Sequence, residues 1–109
     1  MSAANAAWAW VITGGLFEVV WAVGLKRTEG FSRLLPSLVV GAAMAASLYA
    51  LAQGLKVLPT GTGYAVWVGI GAVGAVLWGI FVDGEPAGAL RLLCLTLIVA
   101  GIVGLKLLH

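Results

Sequence analysis

Ala6 to Leu25 reads AAWAWVITGGLFEVVWAVGL, an apolar stretch whose one charge, Glu18, stands in its interior. A bilayer hydrocarbon core about 30 Å thick is crossed by about 20 residues of α-helix, so this stretch has the length and polarity of a membrane span. A carboxylate at that depth is costly, since insertion scales charge roughly 2.5 to 3.5 kcal/mol for comparable residues at a helix centre. The rest of the chain has to explain why it is there.

Working outward, three more apolar stretches of spanning length follow the first. They cover about 34–55, 62–82 and 87–105, and charged residues, Gly or Pro separate them: Lys26 and Arg27 after the first, Lys56 and Pro59 after the second, and Asp83, Gly84, Glu85 and Pro86 after the third. The connections are too short for a soluble domain, so residues 1–109 are expected to form a single four-helix transmembrane domain with consecutive helices antiparallel. The chain is 62% hydrophobic and 9% charged, with a mean hydropathy of +1.12. That leaves too little polar surface to cover a soluble globule. A net charge of +2 with no basic, polar-interleaved stretch argues against nucleic acid as a partner. The start, MSAANAAW, lacks the charged region of a signal peptide, and the first span is expected to be retained.

An even number of spans puts both termini on one side. Lys26, Arg27, Arg33 and Arg91 border one face of the membrane, whereas Lys56 and Lys106 border the other. That bias is slight for a rule that orients helices by Lys and Arg, and Lys106 is close enough to its span to snorkel. The sequence therefore permits insertion in both orientations.

Glu18 shares a helix face with Gly14, Gly15, Trp21, Ala22 and Leu25 by the i±3, i±4 and i+7 relations. Two readings of it stand open: a protonated carboxyl that hydrogen-bonds between helices, or a carboxylate that exchanges its proton for a cation in a water-accessible cavity. No Lys or Arg lies at similar depth as a fixed partner. On the third span Thr60, Tyr64, Trp67, Gly71, Gly74 and Trp78 recur on one face. Trp8, Trp10 and Trp78 fall near span ends, where aromatic belts form. Trp21 and Trp67 are deeper, and a buried indole N–H needs an acceptor, of which Glu18 is the strongest within the spans. Ser47 is a mid-depth hydroxyl that its own helix can satisfy. Sixteen glycines, most of them inside the spans, suit the close helix approach that stabilises membrane bundles. Cys94 is the only cysteine, so no intrachain disulfide forms and a packing role is expected. The one histidine is His109, and no catalytic triad, phosphate loop or metal-ligand cluster occurs; neither an enzyme nor a cofactor or metal is expected.

The motifs FEVVWAVGLK (Phe17 to Lys26), GTGYAVWVGIGAVGAV (Gly61 to Val76) and GIVGLK (Gly101 to Lys106) resemble those of the small multidrug resistance family of four-helix transporters, and within it the guanidinium exporter subtype. The resemblance extends over essentially the whole chain. It implies an all-α integral membrane protein that works as an antiparallel, dual-topology homodimer in the inner membrane of a bacterial-type cell and exports a cation in exchange for protons. It also implies that Glu18 binds substrate and protons, that Trp21, Ser47, Tyr64 and Trp67 line the site in a hydrogen-bonded network, and that the fourth helix makes a dimer contact from Cys94 to Gly101. Cys94 stands where the family often has a smaller residue, and Gly63 where alanine is common.

Guanidinium suits a paired-carboxylate site because it is planar, donates several N–H bonds in a fork and stacks on aromatic faces. Two other functions compete with its proton-coupled export. A multidrug exporter would take hydrophobic quaternary ammonium ions, which donate no N–H bonds. A non-transporting scaffold subunit would only pack partner helices through its glycines.

Overall fold

A computed structural model describes residues 2–108, so His109 lies outside the described residues. Among them, all regular structure is helical: α1 (Ala3–Gly24), α2 (Leu34–Gly54), α3 (Thr60–Phe81) and α4 (Ala89–Leu108). Each is long and apolar enough to cross a membrane. Helices suit this composition because lipid offers no partner for backbone N–H and C=O groups, and a helix satisfies them internally.

Local chemistry sets the ends. Ser2 caps α1, its Oγ accepting from Asn5 N at 3.1 Å. After Gly24 the chain makes one turn of 3-10 helix, Leu25–Thr28, and then three successive left-handed residues, Glu29, Gly30 and Phe31, reverse its direction. Thr28 holds this turn from a buried position: its Oγ1 donates to Leu25 O at 2.7 Å and accepts from Phe31 N at 3.1 Å. Pro36 falls in the first turn of α2, where a missing N–H removes no helix bond. Pro59 precedes α3.

α1 is the central helix, packed along both α2 and α3, while the α4 backbone packs on α3. The core joins Ala7, Trp8 and Val11 of α1 to Leu51 of α2, Leu58, and Val66 and Trp67 of α3. Close approach is made where one helix carries no side chain. A Cβ on Gly14 would meet the backbone oxygen of Ser47 at 3.0 Å and Ala50 Cβ at 3.2 Å, and one on Gly15 would meet Ile70 at 2.8 Å. Lipid tails are as apolar as Leu, so this tight contact, rather than escape from water, holds the helices together.

Two expectations change. Gly41, Gly101 and Gly104 have nothing within 4 Å of an added Cβ, so they pack no helix within the subunit. Trp8 is a buried core residue rather than a belt residue facing lipid. It lies near the start of α1 all the same, with the Lys106 ammonium 5.5 Å from its ring centroid. At the opposite end Arg27 covers Trp78 at 5.6 Å, whereas Trp10 meets Tyr49 edge-on at 5.8 Å on the Trp8 side.

Candidate substrate site around Glu18

Glu18 is the one charged side chain buried among the described residues, with 8% of its surface exposed. Its position follows from glycine on the facing helix. A Cβ on Gly71 would collide with Oε1, Cδ and Cγ of Glu18, so the carboxyl group rests directly on the α3 backbone. One turn further, the missing side chain of Gly74 admits Val19. The α1/α3 contact is thus shaped around the carboxylate and the residue after it.

Ser47 joins three helices. Its Oγ donates to Gly14 O on α1 at 2.6 Å and accepts from Trp67 Nε1 on α3 at 3.0 Å, all of it buried. Ser37 and Thr96 show the alternative, since each bonds back to a carbonyl of the preceding turn. Ser47 takes the other course because Gly14, with no side chain, lets α2 come within reach. Trp67, 5% exposed, has its N–H acceptor in Ser47 and not in Glu18. Tyr64 lies one turn away, its ring 5.5 Å from that of Trp67, and is 53% exposed.

Trp21 differs from Trp67. It packs against the core, and its Nε1 is buried without a hydrogen-bond partner. An unpaired buried donor costs about 1–3 kcal/mol. It stands one turn from Glu18 on the same helix face, a donor suited to a carboxylate.

The structure therefore brings Ser47, Trp67 and Tyr64 together and sets Glu18 and Trp21 on the neighbouring face of α1. Gly14 links the two groups, its carbonyl bonded to Ser47 and its position one turn before Glu18. Sequence reasoning missed two contributions, the Gly14 carbonyl as an acceptor and Gly71 as the surface beneath Glu18. The i−4 spacing of Gly14 from Glu18 was a usable signal for the first; pairing Gly71 with Glu18 needs the register of α1 on α3. Cys94 and Gly101 lie apart from this cluster, exposed on α4. The remaining carboxylates lie in exposed loops, among them Glu85, which pairs with Arg91 at 3.1 Å.

Residues 6–98 match the Small Multidrug Resistance protein family. The chain belongs to that family. Proteins named guanidinium exporter are similar along nearly their whole length. The one from Yersinia pseudotuberculosis is 56% identical over 101 residues, covering 93% of this chain and 97% of that protein. Those from Salmonella typhimurium and Escherichia coli are 58% and 59% identical over 100 residues, each covering 92% of this chain and 95% of the relative. As a member of this family with four spanning helices, the protein is a multi-pass membrane protein.

Proposed function

We propose that the protein exports guanidinium and small substituted guanidinium ions in exchange for protons, as an antiparallel homodimer of dual-topology subunits in a bacterial inner membrane. The observation that carries this reading is the single buried carboxylate, Glu18, resting on Gly71 beside an unpaired indole donor, in a chain 56–59% identical to proteins named guanidinium exporter.

The mechanism follows from the cost of moving charge through lipid. An ionised, unpaired Glu18 is expensive to carry across; a protonated Glu18 or one paired with a cation is not. If only those neutral forms exchange sides, a cation leaves on one side as protons bind there. Guanidinium offers its N–H fork to a carboxylate and its face to an indole, and Glu18 with Trp21 provides both. A second subunit supplies a second Glu18 and encloses the cluster that one subunit leaves open at the exposed Tyr64. Inverted subunits also make the inward-open and outward-open states equivalent, the symmetry that larger transporters build from inverted repeats.

The test is proteoliposome transport with an internal pH dye. Guanidinium added outside is expected to drive proton movement in the wild type, with none in Glu18→Gln, which still assembles as a dimer. Coupled transport by Glu18→Gln would overturn the proposal. A response to a bulky aromatic quaternary ammonium ion and none to guanidinium would assign the site to multidrug export instead.

A further inference from the structure

The contacts of α1 with α3 climb in register towards the chain reversals that follow the two helices. Gly14 faces Trp67, Gly15 faces Ile70, Glu18 rests on Gly71, and Val19 fills the place of a Gly74 side chain. The last of the series is Arg27, its guanidinium 5.6 Å from the centroid of the Trp78 ring. Trp78 follows Gly71 by two helical turns, on the same face of α3, and stands about 10 Å further along at about 1.5 Å per residue. One α3 face thus leads from Glu18 to an exposed indole at the helix end.

Arg27 is held there in an uncommon way. Its Nη1 donates to Val23 O at 3.1 Å. The one ion pair among the described residues is that of Arg91 with Glu85, so a carbonyl and a ring hold Arg27, and no carboxylate does. The residue after Trp78, Gly79, carries the Glu85 carboxylate on its bare backbone, and that carboxylate holds the Arg91 guanidinium at 3.1 Å. The end of α3 therefore binds guanidinium groups twice, one on a ring and one on a carboxylate.

We propose that Trp78 is an outer station for the guanidinium ion on its way to Glu18, and that Arg27 is the gate covering it; this rests on the export of guanidinium proposed above. The head group of Arg27 and the ion are the same planar cation, and a ring face that takes one takes the other. They cannot share it, because two like charges at contact distance repel, so the ion reaches the ring when Arg27 swings away. An exposed cation–π contact favours the covered ring over the bare one only about two- to fivefold. The gate is closed most of the time and opens readily.

The experiment follows the ring directly, with the intact protein labelled with 5-fluorotryptophan in nanodiscs and titrated with guanidinium chloride under ¹⁹F NMR. Glu18→Gln is the background, since it lacks the inner carboxylate. There the Trp78 resonance is expected to shift more than that of Trp10, an exposed indole that serves as the reference for unspecific stacking. Adding Arg27→Gln lowers the half-saturating concentration about three- to sixfold, one plus the ratio of covered to bare ring, whereas Arg27→Lys keeps it close to the starting value. With Glu18 intact, proteoliposome transport should show a higher kcat/KM for guanidinium in Arg27→Gln, and Trp78→Leu should cancel that gain. A Trp78 shift no larger than that of Trp10 would overturn the proposal. So would a kcat/KM gain that is absent, or that is equal with and without Trp78 and so belongs to the charge alone. A wild type that moves no protons on adding guanidinium would instead overturn the export reading, because the titration in Glu18→Gln is read without transport.

Discussion

Gly71→Ala gives the sharpest test of how Glu18 is held. The added methyl would lie 2.7 Å from Glu18 Cγ and closer still to Cδ and Oε1, whereas carbon atoms rest at about 3.5–4.0 Å. The overlap at Cγ is about 1 Å, too large for a rotation of the carboxyl group alone to relieve, because Cγ itself must move. The side chain has to leave its rotamer or α3 has to retreat from α1, and forced repacking of this kind costs about 1–3 kcal/mol. If that cost falls on the bound state, guanidinium affinity drops about 5- to 140-fold, at 1.4 kcal/mol per factor of ten. Isothermal titration calorimetry in detergent measures it directly. Gly41→Ala is the control, since its Cβ meets nothing within 4 Å, and its affinity is expected to stay at the wild-type value. Glu18→Asp withdraws the carboxyl group by one methylene, so the double variant Gly71→Ala/Glu18→Asp should lose less than the sum of the two single losses. Wild-type affinity in Gly71→Ala, or strict additivity in the double variant, would refute the contact as the factor that sets Glu18.

Other outcomes follow from the same contacts. Ser47→Ala leaves Trp67 Nε1 buried without its acceptor and should destabilise the protein by about 1–3 kcal/mol, read as a fall in melting temperature in detergent; pairing it with Trp67→Phe should recover part of the loss. Thr28→Val removes both hydrogen bonds that hold the α1–α2 turn, at about 0.5–1.5 kcal/mol each, and hydrogen exchange at Phe31 should accelerate. With proton and cation competing for Glu18, the apparent dissociation constant for guanidinium should fall as pH rises and then level off; a pH-independent constant would separate the two binding events.

The four spans were legible because lipid imposes one requirement, about 20 apolar residues per crossing, and the separators between the stretches are charges, Gly and Pro. Their partners were less legible. Glycines in a span announce close packing, but only the rotation of each helix decides which do so within the subunit. Gly14, Gly15 and Gly71 face neighbours, and Gly41, Gly101 and Gly104 do not. Ser47 shows the same limit: a mid-span hydroxyl has a carbonyl of its own helix always in reach, and its choice of Gly14 O depends on a glycine 33 residues away. Trp8 turns into the core, since position near a span end fixes depth and leaves open which way the ring points.

The two deep tryptophans offer a last discrimination. Trp67 and Trp21 are alike in residue type and depth, yet one N–H is satisfied by Ser47 and the other has no partner. Replacement by Phe removes the N–H from each. In Trp67 that abandons a completed bond and leaves Ser47 with one partner fewer, so stability should fall. In Trp21 it removes a buried donor that already costs about 1–3 kcal/mol, which offsets the loss of ring area; the melting temperature should hold or rise. Guanidinium affinity should move the other way, because the Trp21 donor and ring face serve Glu18 and its cation. A donor kept unpaired at the expense of stability belongs to binding; a donor paired within the fold belongs to the scaffold. If Trp21→Phe destabilised the protein as much as Trp67→Phe and left guanidinium affinity unchanged, Trp21 would be a packing residue and the site would rest on Glu18 without it.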